Sequence, residues 1–400
     1  VLPGAALWLD GEDRRLLLPA ADPLDALWHS QPEAAEALSA RTGLVLGELA
    51  QLPSLAAGRS VATPPLLMRE DALTFGRALA READTLGADE AIDGPLLEAL
   101  IALRSCHDEA AVKELRRAAS ASVEAHLCGM RATRAGERES TVVAAMESVF
   151  TRVGFGTAYG SIVTTRGEVL HNTEHQGTLH DGDLLLADVG AETDTGYAAD
   201  ITRTWPVSGR FSASQRAIYE LVLETQTAAL RQVAPGVRYR DVHLAAASAL
   251  CDGLLQLGIL RGERDGLVER GVHALFMPHG IGHLLGLDVH DMEDLGDRAG
   301  YAPGRTRAAQ FGLSYLRLDR DLLPGMLVTI EPGFYQVPFL LREPERVGLD
   351  ASALDRSRLA QFADVRGIRI EDDVLVTQTG HEVLTALLPK APDAVEQAMR

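Results

Sequence analysis

Cysteine is scarce in this chain: Cys106, Cys128 and Cys251 are the three among 400 residues. They are odd in number, far apart and without C-x-x-C spacing. That argues against a disulfide framework and a zinc-thiolate centre and points to a reducing cytoplasm. Apolar runs of membrane-spanning length are absent, as is a signal-peptide pattern, so no membrane is expected as a partner. Basic residues are the minority charge, 38 Lys and Arg against 57 Asp and Glu, for a net charge of -19. Such a surface repels phosphate backbones, and nucleic acid is not an expected partner. No internal repeat at solenoid spacing and no low-complexity tract is present.

What remains is ordinary globular material. Apolar residues make up 46% and charged residues 24%, enough for a large core. The length suggests two domains. The chain starts at Val1, which reads as a processed or trimmed start. Its first hundred residues read as a small α/β unit. Strands are expected at Arg14–Leu18, stopped by Pro19, and at Gly43–Leu46, with a helix over Pro32–Ser39. Trp28 and His29 read as packing and surface residues. A new unit is expected near Ser105, which can cap a helix whose first turn carries Asp108 and Glu109. Val112, Leu115 and Ala119 then recur at helical spacing. The expected domains are therefore residues 1–104 and 105–400. Ser212–Val233 reads as an amphipathic helix with Ser212 and Gln215 at capping-box spacing, and Val242–Leu257 as another helix. Strands are expected at Asp183–Val189, Ile201–Val207, Met326–Ile330 and Ile368–Val376, giving an α/β (α+β) chain.

Five segments set carboxylates or imidazoles into otherwise apolar sequence. Asp188 ends the run Leu184–Val189, where an unpaired carboxylate is costly to bury. Asp200 opens the second segment, and a turn near Gly196 can bring it back to Asp188, with Thr202 as a hydrogen-bonding neighbour. The third, Met277–Asp291, holds His279, His283 and His290; its glycines weaken a helical reading of its start. Glu331 lies in Thr329–Tyr335 and Glu371 in Gly367–Asp373. Singly, each has a structural explanation: a cap, an ion pair such as Arg369 with Glu371, a packed histidine. Together, four carboxylates and one imidazole suit two hard or borderline divalent ions.

The order Asp, Asp, His-x-x-x-His, Glu-Pro-Gly, Arg-Ile-Glu resembles the pita-bread metallopeptidases, which include prolidase, aminopeptidase P, methionine aminopeptidase and the metal-free creatinases. The resemblance spans Ser105 to Leu388. It implies a curved antiparallel sheet with helices outside it, preceded by a smaller N-terminal creatinase/prolidase-like α/β domain. It also implies that Asp188, Asp200, His283, Glu331 and Glu371 hold two divalent ions, Mn2+ with Co2+ or Zn2+ as alternatives. His279 and His290 match histidines beside the metals, and His171 matches one near the substrate. Two departures stand out: the Asp188–Asp200 spacing is one residue longer than in the family, and the first strands of the N-terminal domain are missing. The branch forms homo-oligomers, so a dimer is expected.

Asp-Ile-Thr-Arg-Thr and Asp-Val-His-Asp resemble the prolidase and aminopeptidase P branch, which implies a small peptide substrate with proline second. Leu316-Arg317, just before Leu323-Pro324-Gly325, resembles the prolidase stretch that clamps a free proline carboxylate; the alternative is a structural pair of Arg317 with Asp319 or Asp321. The expected activity is thus an Xaa-Pro dipeptidase, with an Xaa-Pro aminopeptidase as the alternative. The expected catalytic residues are Glu331 for proton transfer, His290 for the oxyanion, Arg369 beside Asp188, and His279. Tyr335 and His279 are expected to wall the proline pocket.

Overall fold

The computed structural model describes residues 4–20, 24–28 and 35–400. His29 and the start of the helix expected from Pro32 lie outside the described residues. The chain divides into two compact units, Val1–Ala102 and Leu103–Arg400.

In the first unit, β1 (Ala6–Asp10) and β2 (Asp13–Leu18) form a hairpin around Gly11. Gly11 takes a φ of 60°, a left-handed conformation that favours glycine. β1 lacks a clear alternating pattern and was not expected from sequence. Helix α1 (Ala35–Thr42) leads to β3 (Val45–Glu48), which joins β2 in parallel. Trp8, Leu17 and Leu52 form the core of this unit.

The second unit opens with helix α2 (Glu109–Ala132), capped by Asp108, whose carboxylate accepts the Ala111 N–H. The cap is therefore not Ser105: the apolar period begins at Ala111, and Asp108 is the side chain placed to reach that first turn. Helix α3 (Glu139–Arg152) packs on α2. Strands β4 (Ile162–Thr164), β5 (Leu184–Asp188) and β6 (Thr202–Pro206) form an antiparallel sheet, and every residue in them is buried. Helix α4 (Ala213–Leu230) starts with the Ser212–Gln215 capping box and packs on α5 (Tyr239–Gln256).

The C-terminal ribbon is built from β7 (Leu327–Ile330), β8 (Gly333–Tyr335), β9 (Gly367–Arg369), β10 (Asp372–Val376) and β11 (His381–Val383). β8 pairs with β9 and β7 with β10, both antiparallel, and β11 flanks β10. The single strand expected over Ile368–Val376 is thus two strands, interrupted at Ile370-Glu371. The cause is where the backbone donors go. Pro332 has none. The Glu331 N–H reaches Ile281 O at 2.8 Å, and the Glu371 N–H reaches Thr202 O at 3.0 Å. Both glutamates are therefore tied outward, to the flanking segments, rather than to each other.

Among the described residues, no helix is long and apolar enough to cross a membrane.

Candidate metal centre and cavity

The five carboxylate and imidazole segments converge because three backbone runs lie side by side. The first is the hairpin of β5 and β6. Its pairing of Asp188 with Thr202 continues through Val189 N–H to Ile201 O and Ala199 N–H to Ala191 O. That register sets Asp188 and Asp200 on one face, diagonal to each other. Gly190 makes the closeness feasible: a Cβ there would lie 1.8 Å from Ala199 O. Asp200 thus precedes β6 rather than opening it as a paired residue.

The second run is Ile281–Leu285, which lies extended along β7. Thr329 N–H bonds to His283 O at 3.0 Å, and Leu285 N–H to Leu327 O at 3.1 Å. A side chain at Gly282 would meet Thr329 O at 2.2 Å and the Tyr239 hydroxyl at 2.4 Å, so only glycine lets the two backbones approach. His279 and His283 accordingly do not share a helix face. The third run is the interrupted ribbon, with Glu331 and Glu371 at its break.

These runs bring Asp188, Asp200, His283, Glu331 and Glu371 into the lining of a cavity of about 540 Å³. Ligand atoms of Asp200, His283 and Glu371 all lie within 4.8 Å of one another. His283 Nε2 is 3.4 Å from Asp200 Oδ2 and 3.8 Å from Glu331 Oε1. Its other nitrogen, Nδ1, is 2.9 Å from Leu284 O. A carbonyl can only accept, so Nδ1 carries the proton and the Nε2 lone pair faces the carboxylates.

The electrostatics call for cations. Burial, and then Asp188, raise the carboxyl pKa of Asp200 well above its ordinary value. Burial, and then Asp200 and Glu331, do the same for Glu371, and burial pushes Glu331 up to about 7. Burial lowers the pKa of His283. The His283 lone pair lies among the carboxylates of Asp200, Glu331 and Glu371, an arrangement that a cation between them would stabilise. The donor set, oxygen-rich with one nitrogen and no sulfur, fits divalent ions.

Arg369 is the guanidinium woven into this cluster. It donates to Asp188 Oδ2 at 2.5 Å, Thr202 Oγ1 at 3.0 Å and the Tyr335 hydroxyl at 3.0 Å. Its partner is thus Asp188 rather than Glu371. Thr202 in turn donates to Glu371 Oε2 at 2.7 Å, as its place in the sequence suggested. His279 Nδ1–H donates to Gly280 O at 2.7 Å, and its Nε2 accepts from Tyr335 at 3.1 Å. Tyr335 itself is fully buried behind His279 and Arg369, so it is not the pocket wall the sequence suggested. The apolar walls are Leu170, Pro278, Phe311 and Tyr315. His171, His290 and Arg317 also line the cavity. Arg317 pairs with Glu293, not with Asp319 or Asp321; Asp319 is taken by Arg238.

Sequence reasoning missed three participants. The Tyr159 hydroxyl lies 2.6 Å from Asp188 Oδ1 and 2.5 Å from Asp200 Oδ1. Having one proton, it can satisfy only one of them. The Asp373 carboxylate accepts the Asp200 N–H at 3.2 Å. Glu293 touches both Arg317 and His290, its Oε2 lying 2.9 Å from His290 Nδ1. Tyr159, between Ala158 and Gly160, and Glu293, in a single short turn, carry no periodic signal; Asp373, two residues after Glu371, lies in a segment the sequence did single out.

Residues 113–378 match metallopeptidase family M24. The chain belongs to that family. Its relatives include a probable Xaa-Pro aminopeptidase of Verticillium alfalfae, 33% identical over 393 residues, which are 96% of this M24 chain and 81% of the relative. The Xaa-Pro dipeptidase of Homo sapiens is 37% identical over 293 residues, 71% of this chain and 58% of that protein. The solved structure of Pseudomonas aeruginosa aminopeptidase PepP superposes with a TM-score of 0.77 at 33% identity, covering 96% of this chain and 82% of that one. The M24 unit has the pita-bread fold, as the motif order implied, and the protein is a metallopeptidase.

Proposed function

We propose that this M24 chain hydrolyses the peptide bond before proline, with two divalent ions held by Asp188, Asp200, His283, Glu331 and Glu371, and that its preferred substrates are Xaa-Pro dipeptides. The bond preference draws on the relatives named for Xaa-Pro substrates. Manganese suits the carboxylate-rich set, and cobalt or zinc could take the same ligands. Bound there, such ions acidify water and polarise the scissile carbonyl.

The protein's own residues supply the rest. Glu331 takes the proton of the attacking water and passes it to the leaving nitrogen. Its side chain is 19% exposed, against 8% for Asp200 and 4% for His283, so among these it is the one most open to the cavity. Arg369 fixes Asp188, and His279 holds the Tyr335–Arg369 chain in place. His290, whose ring stands 4.4 Å from that of His283, faces the developing oxyanion. The proline ring packs against Leu170, Pro278, Phe311 and Tyr315, and His171 stands at the rim.

The observation that carries the dipeptidase reading is Arg317, whose guanidinium lines the same cavity as the carboxylate cluster. A planar fork there suits a free proline carboxylate. The second reading, an aminopeptidase acting on longer peptides, is favoured by the relative named for that activity that aligns over 96% of this chain. Comparing kcat/KM on a matched Xaa-Pro dipeptide and its one-residue extension separates the two. The dipeptidase reading expects the dipeptide to win, and Arg317→Ala to lose mostly dipeptide activity. A wild-type preference for the tripeptide assigns the chain to the second reading. Equal losses on both substrates make Arg317 a structural residue.

A further inference from the structure

Glu293 is an acid in the cavity with no part in the hydrolysis outlined above. It begins a one-turn 3-10 helix, Glu293–Leu295, directly after Met292. Met292 has a φ of 62° although it is not glycine. Such a conformation is strained for a residue with a Cβ, and strain of this kind gathers at functional sites. Its effect is local: the chain turns so that Glu293 points back over the cavity and reaches Arg317 with one oxygen and His290 with the other.

The pair of Glu293 and Arg317 also stands between two spaces. Both residues line the 540 Å³ cavity, and both line a second pocket of about 180 Å³ bounded by Gly296 and Gly300. Arg307 lines both spaces as well, its guanidinium donating to Asp297 and to the carbonyls of Ser314 and Leu316. The Glu293 side chain is 52% exposed, so moving it strands no buried charge.

We propose that Glu293 is an internal substitute for the substrate's terminal carboxylate. It holds Arg317 in the free protein and is displaced toward the smaller pocket and Arg307 when a free carboxylate arrives. This rests on the reading of Arg317 as the carboxylate clamp. The guanidinium is neutralised until a competing carboxylate binds. A neutral chain end cannot supply that exchange and leaves the internal pair intact. Glu293 therefore lowers affinity for peptides ending in a free carboxylate, and loss of its charge sharpens the preference for them.

The test compares a Xaa-Pro dipeptide with its C-terminal amide in three proteins loaded with Mn2+: wild type, Arg317→Ala and Glu293→Gln. Glutamine keeps the length of the side chain and an oxygen for His290 Nδ1–H but removes the charge. Any change in chemistry through His290 affects both substrates and cancels in their KM ratio. Arg317→Ala should raise the dipeptide KM relative to that of the amide. Glu293→Gln should lower it by about tenfold, the scale of one charge-assisted contact at an exposed site. A dipeptide-selective loss in Arg317→Ala with no fall in the ratio in Glu293→Gln leaves the clamp standing and overturns the displacement. Equal losses on both substrates in Arg317→Ala overturn the clamp, and the displacement with it. Glu293→Ala repeats the comparison without an amide that could form new bonds, and a fall in the ratio there supports the proposal equally.

Discussion

Glu331 and Glu371 stand opposite each other across the break in the C-terminal ribbon, in the register that pairs Gly333 with Arg369 on one side and Ile330 with Asp372 on the other. Like charges directly opposite across strands are destabilising, and a cation held between the two carboxylates would offset that. Glu331→Gln and Asp200→Asn are each expected to lower kcat by about a thousandfold or more, since each removes a ligand and distorts the nucleophile's surroundings. Steady-state kinetics at saturating metal checks this. A near-normal kcat in either variant would remove that residue from the ligand set.

Tyr159 offers a gentler probe. Its hydroxyl lies between Asp188 and Asp200, and the residue is half-buried. Tyr159→Phe keeps the ring and should weaken metal binding by about tenfold, the lower end of losses seen when a partner of a ligand is removed. Metal titration by calorimetry reads the effect directly. Unchanged affinity would make the hydroxyl a bystander.

The metal-free protein should lose stability as pH rises. Burial raises the Glu331 carboxyl from an ordinary 4.5 to about 7 in the folded state. A raised carboxyl pKa means the fold holds a proton that the unfolded chain gives up. The associated stability is therefore complete below about pH 4.5 and lost as pH climbs through about 7. Asp200 and Glu371 are raised too and act in the same direction. Thermal melting of chelated protein should show Tm falling across that window, with a shallower fall in Glu331→Gln. A Tm that rises there instead would mean that these carboxylates are not buried together.

Asp372 is the contrasting acid. Burial alone would raise its pKa, yet Arg203 and Lys390 hold it well below the ordinary carboxylate value. Its oxygens meet Arg203 at 2.7 Å, Lys390 at 2.7 Å and Thr385 at 2.7 Å, with Asp372 and Arg203 both fully buried. Arg203 also donates to Glu371 O at 2.6 Å, so the network anchors the backbone of a ligand segment. Asp372→Asn should cost about 3–5 kcal/mol, because it leaves the fully buried Arg203 under-compensated. Urea denaturation measures this, and a loss below about 1 kcal/mol would show that the cations find other partners.

Much of this architecture was readable from sequence, for physical reasons. β5 is fully buried and reads as a short apolar run, Leu184–Asp188, while β6, Thr202–Pro206, is legible from its β-branched residues and closing proline. The α4 capping box was explicit in Ser212 and Gln215. Asp188, Glu331 and Glu371 stood out because carboxylates in apolar runs are costly without a counter-charge. What stayed hidden depended on register and side-chain direction. The split of Ile368–Val376 follows from Glu371 bonding to Thr202 across the fold, which no local pattern encodes. Tyr335 looked like a pocket wall, but its hydroxyl turns inward to Arg369 and His279. Glu293 sits in a turn whose left-handed Met292 cannot be inferred from residue type.

The most direct test is metal-dependent cleavage on a matched pair of dipeptides, Xaa-Pro and Xaa-Ala. The protein is stripped with a chelator, assayed, reloaded with Mn2+ and assayed again. The account predicts no measurable hydrolysis of either dipeptide after stripping. It predicts recovery on reloading, with kcat/KM for Xaa-Pro well above that for Xaa-Ala. Undiminished cleavage of Xaa-Pro by rigorously metal-free protein would contradict it.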